Sequence, residues 1–253
     1  MALAQLHFFA PSIGAQSIMN IILPDAGKGP FPVLYLLHGL SDDHSIWLRR
    51  TSIERHVAGM PLVVVMPGVH RGWYTNWHAN PELRYEDFIM KDVMGFVERT
   101  FPVKTSRAGR CIGGLSMGGY GALKLALKYP ETFISAHSHS GALLTPLHKS
   151  REWGPNPSPL LAESRRVFGP KHFGGPNDLV ALSRKCPKAK RPALRLDCGL
   201  DDFLLQQNRH FATHLKAIRY NHEYAEFPGA HTWAYWDEHV QEALAFHRRY
   251  LKI

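Results

Sequence analysis

Short apolar runs alternate with amphipathic helical patterns along most of the chain, and this alternation constrains the fold more than any other feature. Several runs are apolar at every position, as expected for strands buried on both faces of a parallel sheet. The predicted strands are Ser17–Leu23, Val33–Leu37, Leu62–Met66, Arg110–Leu115, Phe133–Ser138, Ala193–Cys198 and His222–Phe227. The predicted helices are Tyr85–Thr100, Gly118–Lys128, Phe203–Arg219 and Ala234–Tyr250. The pattern predicts a single α/β domain over residues 1–253, with a mostly parallel central sheet flanked by helices.

One long segment does not follow this alternation. From Ala142 to Pro192 the chain is rich in proline and glycine and has weak periodicity, although a predicted strand lies on either side. A stretch of this length inside a compact domain usually has a function or contains helices of its own. We therefore expect an inserted cap over the strand ends. The alternative is a surface segment with no role in the site.

Composition places the 253-residue chain among globular proteins. Hydrophobic residues make up 45% of it and charged residues 20%, which excludes disordered, collagen-like and coiled-coil proteins. No apolar run approaches the roughly 18 residues of a membrane-spanning helix. The N-terminus lacks the basic and long apolar regions of a secretory signal, so we expect a soluble, cytoplasmic protein. Its three cysteines are in no metal-binding spacing and are expected to be reduced.

The formal charge of +9 is partly concentrated in two basic clusters. The clusters are Arg165 and Arg166, and Arg184, Lys185, Lys188, Lys190 and Arg191. We interpret them as solvated surface, with an acidic or phosphorylated ligand as the alternative. Nucleic-acid binding is disfavoured because interleaved aromatic residues and a groove-reading motif are absent from the sequence. Neither nucleic acid nor a membrane is therefore expected as a partner, whereas a homo-oligomer is compatible with the sequence.

The most specific local motif is Gly114-Leu115-Ser116-Met117-Gly118, which lies between a predicted strand and a predicted helix. This is the GxSxG nucleophile elbow, in which a strained turn exposes the serine hydroxyl. Its two glycines are needed because strand and helix approach closely there. Two other glycine-rich motifs, the Walker loop and GxGxxG, are not present with the spacing that they require. We therefore predict that Ser116 is a nucleophile.

A serine hydroxyl needs a base and an orienting carboxylate to react at neutral pH. In folds with this elbow the chain order is serine, acid, histidine. Asp201 and Asp202 follow a predicted strand, and Asp202 is favoured as the acid, with Asp201 as a helix cap. Asp197 lies within the strand and is interpreted as a local packing residue. Among 16 histidines, His231 lies in a loop between the last strand and the last helix, which makes it the predicted base.

The oxyanion of such a reaction needs two hydrogen-bond donors. One is the backbone N–H of the residue after the nucleophile, Met117, and the other should come from the loop after the strand Val33–Leu37. In that loop the Leu40 N–H is the predicted second donor. Trp47, Trp73 and Tyr74 are candidate walls of a substrate pocket, although such aromatic residues are as often part of the core.

No metal or organic cofactor is implied by these residues. His137 and His139 alternate along a predicted strand and could be read as a metal pair. No carboxylate or third ligand accompanies them in the sequence, so we interpret them as structural.

Five stretches together resemble the esterase family that contains esterase D, S-formylglutathione hydrolases, bacterial tributyrin esterases and, more distantly, mycolyltransferases of the antigen 85 type. They are LLHGLSDDHSIWLRRTSIER from Leu36, VVVMPGVHRGWYTNW from Val63, GLSMGGYGALKLAL from Gly114, CGLDDFLLQQN from Cys198 and PGAHTWAYWDEHV from Pro228. The tributyrin esterase branch is the most similar. The segment Ala142–Pro192 and the stretch Arg71-Gly72-Trp73 depart from the family's pattern, and substrate specificity is expected to reside there.

The resemblance implies an α/β-hydrolase in which Ser116, Asp202 and His231 form a catalytic triad, and it favours Asp202 over Asp201. It implies a serine carboxylesterase that hydrolyses short-chain acyl esters through an acyl-enzyme intermediate. S-formylglutathione hydrolysis, acyl transfer and carbohydrate acyl ester hydrolysis are the alternatives within the family. The expected partner is a small-molecule acyl ester.

Overall fold

A central sheet organises the computed structural model, which describes residues 1–144, 159–170 and 172–253. Its strands are β1 (Ala2–Ala10), β2 (Ala15–Leu23), β3 (Val33–Leu37), β4 (Val63–Pro67), β5 (Arg110–Leu115), β6 (Ser135–His139), β7 (Ala193–Gly199) and β8 (His222–Phe227). They form one eight-stranded sheet in the order β1-β2-β4-β3-β5-β6-β7-β8. The pairs β1–β2 and β2–β4 are antiparallel, and all other pairs are parallel. The predicted fold class is confirmed.

Helices flank both faces of this sheet. They are α1 (Ile46–Arg50), α2 (Ile53–His56), α3 (Tyr85–Asp87), α4 (Met94–Thr100), α5 (Met117–Lys128), α6 (Pro159–Phe168), α7 (Leu179–Lys185), α8 (Leu205–Ala217) and α9 (Trp233–Leu251). A π-helical segment, Phe88–Val93, joins α3 to α4. Within the described ranges, no helix is both long and apolar enough to cross a membrane.

The sequence did not predict the first strand, β1. Its residues ALAQLHFFA include no β-branched side chain, and most of them are exposed. The strand forms because its backbone pairs with all of β2, from Ala2 opposite Leu23 to Ala10 opposite Ala15. Only its last part contributes side chains to the core, through Phe8 and Ala10. Tertiary pairing at a sheet edge, and not local propensity, determines this element.

The strands β3, β4 and β5 contribute to two hydrophobic cores, one on each face of the sheet. In β3, Val33, Tyr35 and Leu37 pack on the face covered by α5. Leu34 and Leu36 alternate with them and pack on the face covered by α9. This arrangement explains why the strand is apolar at every position. The three cysteines are buried and unpaired.

The segment predicted to form a cap contains the helices α6 and α7. Its residues 145–158 and 171 lie outside the described residues, and the cap function remains a prediction. Helix α6 contacts the second stretch that departs from the family's pattern. The Glu163 carboxylate accepts hydrogen bonds from Arg71 Nε at 3.0 Å and from Trp73 Nε1 at 3.1 Å. The two divergent parts of the sequence therefore meet in space.

A buried ion pair joins α5 to the chain segment before α4. Lys124 Nζ donates to Glu86 Oε2 at 2.7 Å, to Thr75 Oγ1 at 2.9 Å and to the Tyr74 carbonyl. Lys124 is completely buried, and Glu86 is nearly so. Burial alone would raise the pKa of Glu86, but the Lys124 charge and the hydrogen bonds that Glu86 accepts lower it to about 2. Both partners are therefore charged at neutral pH, and removal of either leaves a buried charge.

Replacement of Lys124 by Met should destabilise the protein by about 3 kcal/mol, because Glu86 then loses its buried partner. The matched control is Lys128→Met, since Lys128 pairs with the other Glu86 oxygen at 2.6 Å from a partly exposed position. That change should cost less than about 1 kcal/mol. The measurement is the free energy of unfolding in urea at pH 7. Equal losses in the two variants would contradict the importance of the buried pair.

Candidate active site

Ser116 lies in a sharp turn between β5 and α5. Its φ is +53° and its ψ is −115°, a strained backbone conformation for a residue with a side chain. The turn is fixed because Ser116 N–H donates to the His139 carbonyl at 2.9 Å. The Ser116 carbonyl in turn accepts from the N–H groups of Tyr120 and Ala142, both at 3.1 Å.

The glycines on either side of this turn are required by close backbone contact. A Cβ atom at Gly114 would lie 2.5 Å from the Leu37 carbonyl oxygen. One at Gly118 would lie 2.5 Å from the same oxygen and 2.7 Å from the His38 carbonyl oxygen. Neither contact is sterically allowed, and neither neighbour is a flexible side chain. The glycines thus bring the first turn of α5 against the end of β3.

The three predicted triad residues come together at the carboxyl ends of the parallel strands. His231 Nε2 lies 3.2 Å from Ser116 Oγ, and His231 Nδ1 lies 2.9 Å from Asp202 Oδ2. With the Nδ1 proton donated to the carboxylate, Nε2 is free to accept the serine proton. The His231 side chain is about one-fifth exposed, whereas the Asp202 carboxylate is buried. The imidazole is therefore accessible from solvent, and the carboxylate that it contacts is not.

Several donors keep the Asp202 carboxylate ionised. Burial would raise its pKa, but hydrogen bonds from His231, Ser140 and the Leu204 N–H, together with the charge of His231, lower it. The Leu204 N–H donates to Asp202 Oδ1 at 2.8 Å. Asp201 instead is exposed, and α8 begins at Leu205 with Leu204 at its N-cap. The expected helix-cap role of Asp201 is therefore wrong, because the helix starts several residues later.

The sequence analysis missed a residue that supports this acid, Ser140. It is buried, has a φ of +47°, and directly follows β6 at the same edge of the sheet. Trp236 Nε1 donates to Ser140 Oγ at 3.2 Å, and a hydrogen bond from the Ser140 hydroxyl contributes to lowering the pKa of Asp202. Trp236 also packs perpendicular to the His231 ring, with centroids 4.8 Å apart. The only available sequence signal was a serine after a predicted strand, which is too common to be specific.

The loop predicted to supply an oxyanion donor is held by the side chain of His38. His38 Nδ1 lies 2.7 Å from the Gly39 carbonyl, and the Val69 N–H donates to Nε2 at 2.9 Å. Burial lowers the pKa of His38 to about 4, so its ring is neutral and can make both contacts. Leu40 follows in the turn after Gly39. Met117 is the first residue of α5, where helix N–H groups have no intrahelical acceptor.

The three candidate pocket residues are all enclosed by the protein. Trp47 is 1% exposed, Trp73 3% and Tyr74 0%. Two of them contact the end of β3 and the loop after it, since Trp47 Nε1 donates to the Leu37 carbonyl at 3.1 Å and Tyr74 Oη to the His38 carbonyl at 2.9 Å. Trp73 packs edge-on against Tyr120. Their role as pocket walls remains a prediction.

His137 and His139 belong to a buried hydrogen-bonded row under α9. His137 Nδ1 lies 2.7 Å from His247 Nε2, and His139 Nδ1 lies 2.8 Å from Asp197 Oδ1. Burial is the largest factor lowering the pKa values of His137 and His247, so both rings are neutral at pH 7. Asp197 thus pairs locally. In the part of the chain that the structure describes, no group of three potential ligands is arranged to hold a metal ion.

Comparison with known proteins agrees with this fold. The family model described as "Putative esterase" matches residues 10–247. An acetyl esterase from Caldicellulosiruptor saccharolyticus is 30% identical, with 96% of this chain and 97% of that protein covered. A substrate-bound structure of a fluorophosphonate-binding serine hydrolase from Staphylococcus aureus is 31% identical, with a TM-score of 0.85 and coverage of 97% and 98%. A structure of an S-formylglutathione hydrolase from Staphylococcus aureus is 30% identical, with a TM-score of 0.83 and the same coverage.

These similarities extend over nearly the whole chain and over nearly the whole of each relative. The two Staphylococcus aureus structures share the fold of this chain, with TM-scores of 0.85 and 0.83. The enzyme class that follows is a serine hydrolase acting on carboxylic esters. The chain therefore belongs to the Putative esterase family and has the α/β-hydrolase fold.

Proposed function

We propose that the protein is a carboxylesterase that hydrolyses short-chain acyl esters through a Ser116–His231–Asp202 triad. The observation that carries the proposal is the continuous chain of contacts from the buried Asp202 carboxylate through His231 to Ser116 Oγ. A strained elbow presents this hydroxyl at the carboxyl edge of the sheet. This arrangement supports nucleophilic ester hydrolysis, which needs an activated serine, a base and an orienting acid in one place.

In the acylation step His231 Nε2 takes the proton of Ser116 Oγ as the oxygen attacks the ester carbonyl. The C–O bond to the alcohol then breaks, and His231 returns the proton to the leaving alkoxide. In deacylation His231 takes a proton from water, which attacks the acyl-Ser116 carbonyl. The acid leaves and Ser116 regains its proton. Asp202 keeps its charge throughout and stabilises the imidazolium form of His231.

The backbone N–H groups of Met117 and Leu40 are proposed to stabilise the oxyanion in both steps. The Met117 N–H is oriented by the start of α5. The Leu40 N–H is oriented by the turn before it, in which the carbonyl oxygens of residues 37, 38 and 39 accept hydrogen bonds from Trp47, Tyr74 and the His38 ring. Gly118 has no Cβ atom, so its backbone can lie close to the His38 carbonyl oxygen. The elbow therefore lies next to this turn. Every step uses groups of this chain and water, and the proposal includes no cofactor.

The acetyl esterase relative supports short acyl groups as the substrates. A second candidate function is hydrolysis of S-formylglutathione, which the relative of that name supports over the same length of chain. Both reactions use the same attack by Ser116 on an acyl carbonyl, and they differ in whether an alkoxide or a thiolate leaves. The two functions are therefore separated by substrate preference, and not by the identity of the triad.

Replacement of Ser116 by Ala should reduce kcat/KM for p-nitrophenyl acetate by roughly 10³- to 10⁶-fold, because the acyl-enzyme can no longer form. The melting temperature should not fall, since the substitution removes one oxygen atom and retains a Cβ. Circular dichroism of the same preparation provides the control for folding. A variant that retained most of its rate would contradict the assignment of Ser116.

Purified protein should show its highest kcat/KM on p-nitrophenyl acetate or butyrate, with a steep loss on the octanoate. The comparison includes S-formylglutathione under the same conditions. A much higher kcat/KM for S-formylglutathione than for the esters would overturn the carboxylesterase proposal in favour of the second candidate. Addition of an alcohol acceptor to the assay, with product analysis, would reveal acyl transfer if ester product replaced free acid.

Replacement of Ser140 by Ala should lower kcat/KM by roughly tenfold, because Asp202 loses a hydrogen bond that holds it against His231. It should also raise the pKa of Asp202, since one donor to its ionised form is lost. The measurement is the pH dependence of kcat/KM, in which the acidic limb should shift toward higher pH. The control is Ser183→Ala, at a buried serine that bonds to His214 on another part of the fold. An unchanged pH profile with reduced rate would indicate a purely structural role for Ser140.

A further inference from the structure

Two residues of the basic cluster found in the sequence, Lys188 and Arg191, line a pocket at the amino ends of the strands. The pocket has a volume of about 460 Å³, within the range of small-molecule sites. Four cationic side chains line it, and they come from different parts of the chain: Arg107, Lys188, Arg191 and Arg219. The tyrosines Tyr220 and Tyr250 also contribute to its wall. Folding therefore brings Arg107 and Arg219 next to Lys188 and Arg191, which are already close in the sequence.

Two of these guanidinium groups are held in place by backbone carbonyls. Arg107 Nε donates to the Pro130 carbonyl at 2.9 Å, and its Nη2 reaches the Arg191 carbonyl at 3.3 Å. Arg191 Nη1 donates to the Arg219 carbonyl at 3.1 Å, and its guanidinium lies over the Tyr220 ring at 4.5 Å. Carbonyls and an aromatic ring position a cation but do not neutralise its charge.

The positive charge of the pocket has no acidic partner among the described residues. None of the side chains that line it is an aspartate or a glutamate, and none of its four cations forms an ion pair with a described residue. Glu223 lies close to Arg219 in sequence but pairs with Arg195 and Arg249 instead, and Glu131 follows Pro130 on the exposed surface. Arg191 Nε is enclosed and has no hydrogen-bond partner in the described structure. Such an arrangement leaves donors and charge available to an anion.

We infer that this pocket binds a small phosphorylated molecule whose phosphoryl groups carry at least two negative charges. Planar guanidinium groups suit phosphate oxygens, and the exposed Lys188 and Arg219 can close over a ligand from the rim. The site lies at the amino ends of β6, β7 and β8, whereas Ser116 and His231 lie at the carboxyl ends of the strands. The ligand is thus separate from the ester substrate, and its binding does not depend on the proposed function.

Isothermal titration calorimetry with inorganic pyrophosphate tests the site in the full-length protein. Pyrophosphate should bind, and orthophosphate more weakly, because it offers fewer charges. The double variant Lys188→Glu/Arg219→Glu should weaken pyrophosphate binding by on the order of tenfold or more. Ester hydrolysis should be unchanged. A titration with ADP distinguishes the source of the diphosphate: tighter binding than pyrophosphate indicates a nucleotide, and equal binding indicates that the diphosphate alone is recognised.

The matched control is Arg50→Glu/Arg55→Glu, which makes the same change in net charge at exposed residues outside the pocket. It should leave pyrophosphate binding within about twofold of the wild-type value. No binding by the wild-type protein, or an equal loss in both double variants, would overturn the inference. An oligonucleotide that bound far more tightly through Lys188 and Arg219 would also overturn it, because the site would then serve a polyanion.

Discussion

The close approach of α5 to the end of β3 is the constraint on which the site depends. Only because Gly114 and Gly118 lack a Cβ can the helix begin against the Leu37 and His38 carbonyls. The same approach forces Ser116 into a conformation with positive φ and directs its hydroxyl out of the turn. It also places the first N–H groups of α5 beside the turn that contains Leu40. The positions of the proposed nucleophile and of the proposed oxyanion donors thus depend on one packing contact.

Buried polar contacts surround the strained elbow on two sides. Lys124 on α5 binds the segment that carries Tyr74, and Tyr74 donates to the His38 carbonyl. On the other side, Trp236 and Ser140 support the acid Asp202. Strain at a functional residue persists only where its surroundings over-determine the geometry. Here the surroundings include a buried ion pair, a neutral histidine and a strand carbonyl.

The sequence predicted the elements whose signal is local. Seven strands and the elbow could be identified because apolar runs and glycine spacing follow directly from burial and steric contact. The edge strand β1 could not, because its pairing with β2 depends on residues elsewhere in the chain. The sequence favoured Asp202 over Asp201, and the family resemblance strengthened that choice, which the residues alone leave open because both aspartates lie in the same turn. Lys124, a lone cation in an apolar helical run, was a usable signal for a buried pair that the sequence analysis did not use.

Charge has different consequences at the two edges of the sheet. At the carboxyl edge, one carboxylate and one imidazole are paired and partly shielded from water, which suits proton transfer. At the amino edge, cations are positioned by carbonyls and remain unpaired with any described acid. Part of the net positive charge is therefore concentrated at the amino edge of the sheet, which composition alone could not show.

The central claim is that Ser116 forms a covalent acyl intermediate, and rapid-quench mass spectrometry tests it most directly. The protein is mixed with p-nitrophenyl acetate, quenched in acid within the first turnover, digested and sequenced. An acetyl group on the peptide that contains Ser116, transient in time and faster to form than to decay, is the predicted result. Turnover of the ester with no acetylation of Ser116, or with acetyl on another nucleophile, would contradict the claim.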